Sequence, residues 1–170
     1  MKKLLLTMTV LLASIAANAQ KFALVDMEYI LKNVPAYERA NEQLNQVSKQ
    51  WEGEVEALLN EAETLYKKYQ SESVFLSDTQ KTKAEEAIMA KEKEASDLKK
   101  KYFGGEGELY KKRQSLLAPI QDEIYNAVKD ICDQKGYQLV LDRASGGSII
   151  YASPKIDISE EVLQKLGYAH

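Results

Sequence analysis

The chain is 170 residues long, with 23 basic against 26 acidic side chains for a net charge of −3, and it holds one cysteine and one histidine. An acidic balance of this kind excludes a nucleic-acid footprint. With His170 the last residue of the sequence and Cys132 the single thiol, one chain can assemble neither a histidine-assisted nucleophile nor a four-ligand zinc site, so no catalytic residue, metal or cofactor is expected.

The first segment in chain order reads as a leader. Lys2 and Lys3 precede an apolar run from Leu4 to Ile15, and Ala17-Asn18-Ala19 follows as a small-x-small site. Residues 1–19 are therefore expected to be a secretory signal peptide cleaved before Gln20. The run falls short of the roughly 20 apolar residues that span a bilayer, which favours export over anchoring. The mature chain keeps 21 basic and 26 acidic residues, a charge of −5. Outside the cytoplasm a lone thiol is tolerated best when buried, and Val128 and Ile131 beside Cys132 predict a packed helical face.

Lys21-Phe22-Ala23-Leu24-Val25-Asp26 is rich in strand formers and reads as a first short strand. Two long helical segments follow, over residues 35–73 and 77–135, joined only by Val74-Phe75-Leu76. Helices that long with so short a link must fold back as an antiparallel hairpin. In the outgoing arm Trp51, Val55, Leu58, Ala62, Leu65 and Tyr69 form one heptad stripe. Ala84, Ile88, Lys91, Ala95, Leu98 and Tyr102 repeat the spacing on the return. A seam diluted by alanine and one lysine makes a slender arm rather than a globular core. At about 1.5 Å per residue, some 38 residues would extend roughly 57 Å. Ser77 with Gln80 predicts a capping box at the start of the return.

Gly104-Gly105-Glu106-Gly107 follows no strand and lacks the Gly-Lys-Ser/Thr of a phosphate loop. Each glycine costs a helix about 1 kcal/mol relative to alanine, so the expectation is a loosened or kinked arm at Gly104, Gly105 and Gly107. Pro119 is expected to add a second bend, because it lacks the amide donor. Glu52, Glu54, Glu56, Glu61 and Glu63 make the outgoing arm acidic, whereas Lys99-Lys100-Lys101 and Lys111-Lys112-Arg113 make the return locally basic. Exposed pairs across the seam contribute only about 0.2–1 kcal/mol each, and so favour register more than stability. A weak contact of the basic clusters with an anionic membrane surface is left open.

Beyond the arm, Tyr137-Gln138-Leu139-Val140-Leu141-Asp142 and Ser148-Ile149-Ile150-Tyr151 read as second and third strands. Arg143-Ala144-Ser145-Gly146-Gly147 is expected to turn between them as a hairpin. Asp157 with Glu160 is expected to begin a last helix carrying Val162, Leu163 and Leu166 and stopping at Gly167. The predicted fold is α+β and mostly α, a long helical hairpin (residues 35–135, tip near 74–76) inserted into a small β-rich body (residues 20–34 and 136–170). A body of roughly 50 residues sits near the lower limit for a self-sufficient core. Oligomerisation through it is expected, with Phe22, Leu24, Leu139, Leu141, Ile149 and Tyr151 as candidate contacts and open strand edges paired by other subunits.

These segments resemble the Skp/OmpH family of periplasmic chaperones. The resemblance is carried by Phe22-Ala23-Leu24-Val25-Asp26-Met27-Glu28-Tyr29-Ile30-Leu31, by the stretch from Ile124 through Asp142, and by Asp157-Ile158-Ser159-Glu160-Glu161-Val162-Leu163. What it implies is a periplasmic homotrimer with helical hairpins around a cavity. Unfolded outer-membrane proteins would be held there without ATP and delivered for membrane insertion. The acidic balance departs from the basic members of the family, so attraction to acidic clients or to lipopolysaccharide is not carried over.

For that task Tyr66, Phe75, Phe103 and Tyr110 are candidate client contacts, since aromatic rings present apolar area and, in tyrosine, a polar handle. Seam or oligomer packing is the competing role for Tyr66, Phe103 and Tyr110. At the tip, hydrophobic closure of the turn by Val74-Phe75-Leu76 is favoured over exposure, as apolar residues usually bury. The alternative functional reading is an exported coiled-coil adaptor that bridges envelope components and binds no unfolded chain.

Overall fold

The computed structural model describes residues 21–146 and 149–168. The expected leader, its cleavage site before Gln20, and His170 lie outside the described residues. The described residues fall into two compact units, one formed by those up to Pro35 and from Gln121 onward, the other by Ala36–Ile120.

In the first unit, strand β1 (Lys21–Val25) pairs in parallel with β2 (Tyr137–Asp142), with Phe22 opposite Leu139 and Leu24 opposite Leu141. The pairing is parallel because the whole helical insertion is the crossover between the strands. Helix α1 (Met27–Lys32) starts at Asp26, whose side chain accepts from the Tyr29 amide at 2.8 Å. The body's core gathers Ala23, Leu24 and Val25 of β1 with Ile30, Ile124, Ile131, Val162 and Leu163, all buried.

A polar clasp closes the ends of these elements. Arg143 reaches Asp26 through Nε at 3.1 Å and Asp157 through a terminal nitrogen at 3.2 Å. The Asp26 amide donates to Ser159 Oγ at 2.8 Å, and the Met27 amide donates to Asp142 Oδ1 at 3.1 Å. The Tyr29 backbone N–H, and after it the Arg143 guanidinium, hold the Asp26 carboxyl below the usual carboxylate range.

In the second unit, α2 (Pro35–Glu72) runs out to a single 3-10 turn at Ser73–Phe75, and α3 (Asp78–Phe103) runs back. The capping box at Ser77 and Gln80 forms as expected. Helix α4 (Glu108–Lys135) follows a break and continues through Pro119. The fold is thus the mostly helical α+β hairpin-and-body that the sequence predicts.

Three local expectations are corrected. The third strand is absent over Ile149–Tyr151, and the described sheet has two strands; Gly147 and Ser148 lie outside the described residues. The end of β2 is already tied to β1, since the Arg143 amide donates to the Val25 carbonyl. Around Asp142 the chain then turns on itself, with the Ala144 amide donating to Asp142 Oδ1, and among the described residues no strand pairs with β2 as a hairpin. Second, the helical return is two helices rather than one. Third, the last helix, α5 (Ser159–Leu166), takes Ile158 as its N-cap rather than Asp157. Asp157 instead accepts from the Ser159 amide at 2.9 Å, and Glu160 accepts from the Tyr29 hydroxyl. The stop at Gly167 is as expected, with φ 84° and the Tyr168 amide donating back to Leu163.

Candidate functional site

The seam of the hairpin consists of the residues that the heptad spacing selects. Val55 and Ala62 on α2 and Ile88 and Ala95 on α3 are buried, while the remaining stripe positions are half-buried. Lys91 lies in the seam as a stem with its ammonium outside, 2.9 Å from Glu61 Oε2 and 3.1 Å from Glu94 Oε2. Those two carboxylates, Glu61 first, raise its pKa.

Rungs across the seam fix its register. The Tyr69 hydroxyl donates to Glu85, Lys91 pairs with Glu61, and the Tyr102 hydroxyl donates to Glu54 at 2.6 Å. Trp51 stacks on Tyr102 with ring centroids 4.6 Å apart and planes 6° from parallel. The Tyr102 hydroxyl, followed by Gln50, holds the Glu54 carboxyl low, and Glu54 in return pushes the Tyr102 phenol up. These links stand at the water-facing margin of the seam. At about 0–1 kcal/mol per exposed pair they align the helices more than they stabilise them.

The chain breaks between α3 and α4, and two glycines there are sterically required. A Cβ on Gly107 would lie 2.7 Å from the Tyr102 carbonyl oxygen, 2.8 Å from that of Lys101 and 2.9 Å from the Gly104 nitrogen. A Cβ on Gly104 would run into the Lys100 carbonyl, whereas one on Gly105 meets nothing within 4 Å. The break is held by the Gly107 amide donating to the Gly104 carbonyl at 2.8 Å and by the Lys111 amide donating to the Gly107 carbonyl at 3.1 Å.

The candidate contact residues are not all in one place. Phe103 and Tyr110 come together around a shallow groove of about 240 Å³ with Gly104, Leu109 and Arg113. Phe103 also lines a second groove, of about 300 Å³, with Val55, Glu56, Leu59 and Lys99. Tyr66 is half-exposed and lines neither groove. At the tip Val74 is 86% and Phe75 87% exposed, which overturns the expectation that they close the turn. A 3-10 turn needs no apolar plug, because the Leu76 amide already donates to the Ser73 carbonyl. Leu59 and Leu109 were missed as groove residues. Leu59 lies one heptad from Tyr66 on the flank of the stripe, a spacing that marks it only once the seam is located.

On the body, Phe22, Leu139 and Leu141 are exposed, Ile150 and Tyr151 almost wholly so, and Ile149 is half-buried; Leu24 lies in the body's own core. A groove of about 460 Å³ runs between β2 and α4, lined by Ile124, Tyr125, Val128, Cys132, Leu139 and Val140 among others. Burial pushes the half-buried Cys132 thiol up, with Asp133 adding to the shift. Among the described residues no cluster of metal-ligating side chains is found, and no helix is long and apolar enough to cross a membrane.

Comparisons with known proteins converge on one family. The model of the family described as "Outer membrane protein (OmpH-like)" matches residues 21–166. The "Chaperone protein Skp" of Yersinia enterocolitica is 28% identical over 158 residues, covering 92% of each chain. That of Pectobacterium atrosepticum is 26% identical over 156 residues, covering 91% of this chain and 89% of the relative. A crystal structure of a putative OmpH-like outer membrane chaperone from Caulobacter crescentus aligns with a TM-score of 0.70 at 13% identity, covering 86% of this chain and 83% of that one. The last likeness is one of fold. The chain belongs to the OmpH-like family.

Proposed function

We propose, with membership of the OmpH-like family as the premise, that this chain is a chaperone of outer-membrane proteins, acting in the periplasm as an ATP-independent holdase. Unfolded β-barrel precursors are held between helical arms and handed on for membrane insertion. The observation that carries the reading is the arm itself. It presents Phe75 at its tip, Tyr66 on its flank and the paired Phe103 and Tyr110 at its break, on a scaffold whose seam is too narrow for a globular core. Dispersed apolar contacts of this kind retain an unfolded chain without imposing one conformation on it.

The same proposal assigns the exposed Phe22, Leu139, Leu141 and Tyr151 and the half-buried Ile149 to contacts between three subunits, and it places flexing of the arm at Gly104, Gly105, Gly107 and Pro119. The acidic balance of the mature chain, −5, leaves client capture to confinement and apolar contact rather than to bulk charge. Its affinity is therefore expected to vary little between low and high salt.

The test is light scattering during gel filtration of the mature protein, alone and mixed with a urea-diluted β-barrel precursor. A mass near three subunits that gains one precursor and keeps it soluble supports the reading. An oligomer that lets the precursor aggregate overturns it in favour of an envelope adaptor.

A further inference from the structure

Midway along the arm, features on both helices meet at one level. Helix α2 is continuous over 38 residues, yet it carries Gly53 in its interior. That glycine is exposed, and a Cβ there would meet nothing within 4 Å. No close approach requires it, so what it brings is a weaker helix at that point. Directly across the seam, α3 ends at Phe103 and the chain passes through Gly104–Gly107, where two glycines are sterically required. The residues bridging these two soft points are Trp51 and Glu54 on one side and Tyr102 on the other, joined by a ring stack and a hydroxyl–carboxylate bond.

We propose that this level is a latched joint. The distal arm pivots on Gly53 and the Gly104–Gly107 break together, and the Trp51–Tyr102–Glu54 contact holds the straight form. One soft point alone would not serve. If only the α3–α4 side were broken, the intact 38-residue helix beside it would splint the arm, whereas a glycine in that helix at the same level lets both sides yield together. The latch also touches a candidate contact residue, since Phe103 packs edge-on against Tyr102 at 6.3 Å and 85°. A chain lodged against Phe103 therefore bears on the ring that closes the joint. This last link rests on the holdase reading; the joint itself does not, and its test uses no client.

The experiment is amide hydrogen exchange on the mature full chain and on two variants. Tyr102→Phe removes the hydroxyl bond while keeping the ring stack. It is expected to speed exchange several-fold in residues 52–57 and 100–103 and to leave residues 62–69 and 88–95, nearer the tip, unchanged. Gly53→Ala is expected to slow exchange about fivefold at residues 53–57, the helix-propensity gap between the two residues expressed as an equilibrium ratio. It is also expected to slow residues 100–103 across the seam. A Gly53→Ala effect confined to α2, or a Tyr102→Phe effect spread evenly along the hairpin, overturns the joint. A second readout is the distance between spin labels at Glu42→Cys and Lys68→Cys in a Cys132→Ser background, with labelled chains diluted into unlabelled ones. A straight helix sets them about 39 Å apart. The joint requires a shorter population that Gly53→Ala removes, and a single distance in both proteins refutes it.

Discussion

Replacing Gly107 by alanine tests the stereochemistry of the arm most directly. The new methyl group would sit 2.7 Å from the Tyr102 carbonyl oxygen, 2.8 Å from the Lys101 carbonyl oxygen and 2.9 Å from the Gly104 nitrogen. All three are backbone atoms, so no flexible side chain can swing aside. Relief has to come from shifting the last turn of α3 against the first turn of α4, which strains the Gly107–Gly104 and Lys111–Gly107 hydrogen bonds. Overpacking of this kind costs about 1–3 kcal/mol. Gly105→Ala, two residues away, meets open space, and its φ is not positive. It should raise stability by about 0.4–1 kcal/mol through the unfolded chain. The assay is urea denaturation followed by fluorescence of Trp51, the single tryptophan, which stacks on Tyr102 beside the break. Opposite shifts of the midpoint at an unchanged slope are expected. Equal shifts in one direction would refute the assignment of Gly107 as a sterically required glycine.

Further outcomes follow from the body and the tip. Leu163→Ala, at a side chain 1% exposed, should cost about 2–5 kcal/mol in a thermal or urea melt, and a near-neutral result would remove α5 from the core. Asp26→Ala loses the cap on the Tyr29 amide and the bond to Arg143, at a cost of about 0.5–2 kcal/mol at neutral pH. Because the native Asp26 carboxyl is held low, the wild-type advantage is present above the ordinary aspartate range. It disappears as pH falls through the depressed native value, so stability curves of the two proteins against pH should converge at the acid end. Phe75→Ala should leave stability within about 0.5 kcal/mol, as its ring is exposed, while weakening retention of a β-barrel precursor in an aggregation assay. An arm that unfolds on this change would show that Phe75 closes the turn.

The arm was legible in the sequence because its determinants are local. A heptad stripe on each of two helices specifies both the buried face and its partner, and the structure buries or half-buries every one of those stripe positions. Ser77 and Gln80 lie three residues apart, so their capping box depends on nothing beyond one turn of chain. Gly167 likewise ends α5 through its own left-handed backbone.

The remaining features depended on partners far away in the chain. Ile149-Ile150-Tyr151 has strand propensity, but a strand exists only when another backbone pairs with it, and the Asp142–Arg143 corner is tied to β1 and Asp26 instead. Val74 and Phe75 are apolar, yet at the tip of the hairpin they stay 86% and 87% exposed, with no described residue covering them. That Phe103 and Tyr110 share a groove while Tyr66 does not was equally invisible, because it follows from where the α3–α4 break turns the chain. The amino-acid sequence by itself determined the helices, their seam and their caps, which are set by spacings of three, four and seven residues. Only the tertiary structure decided which strand-forming segments pair and which apolar side chains stay in water, because pairing and burial are properties of two segments at once.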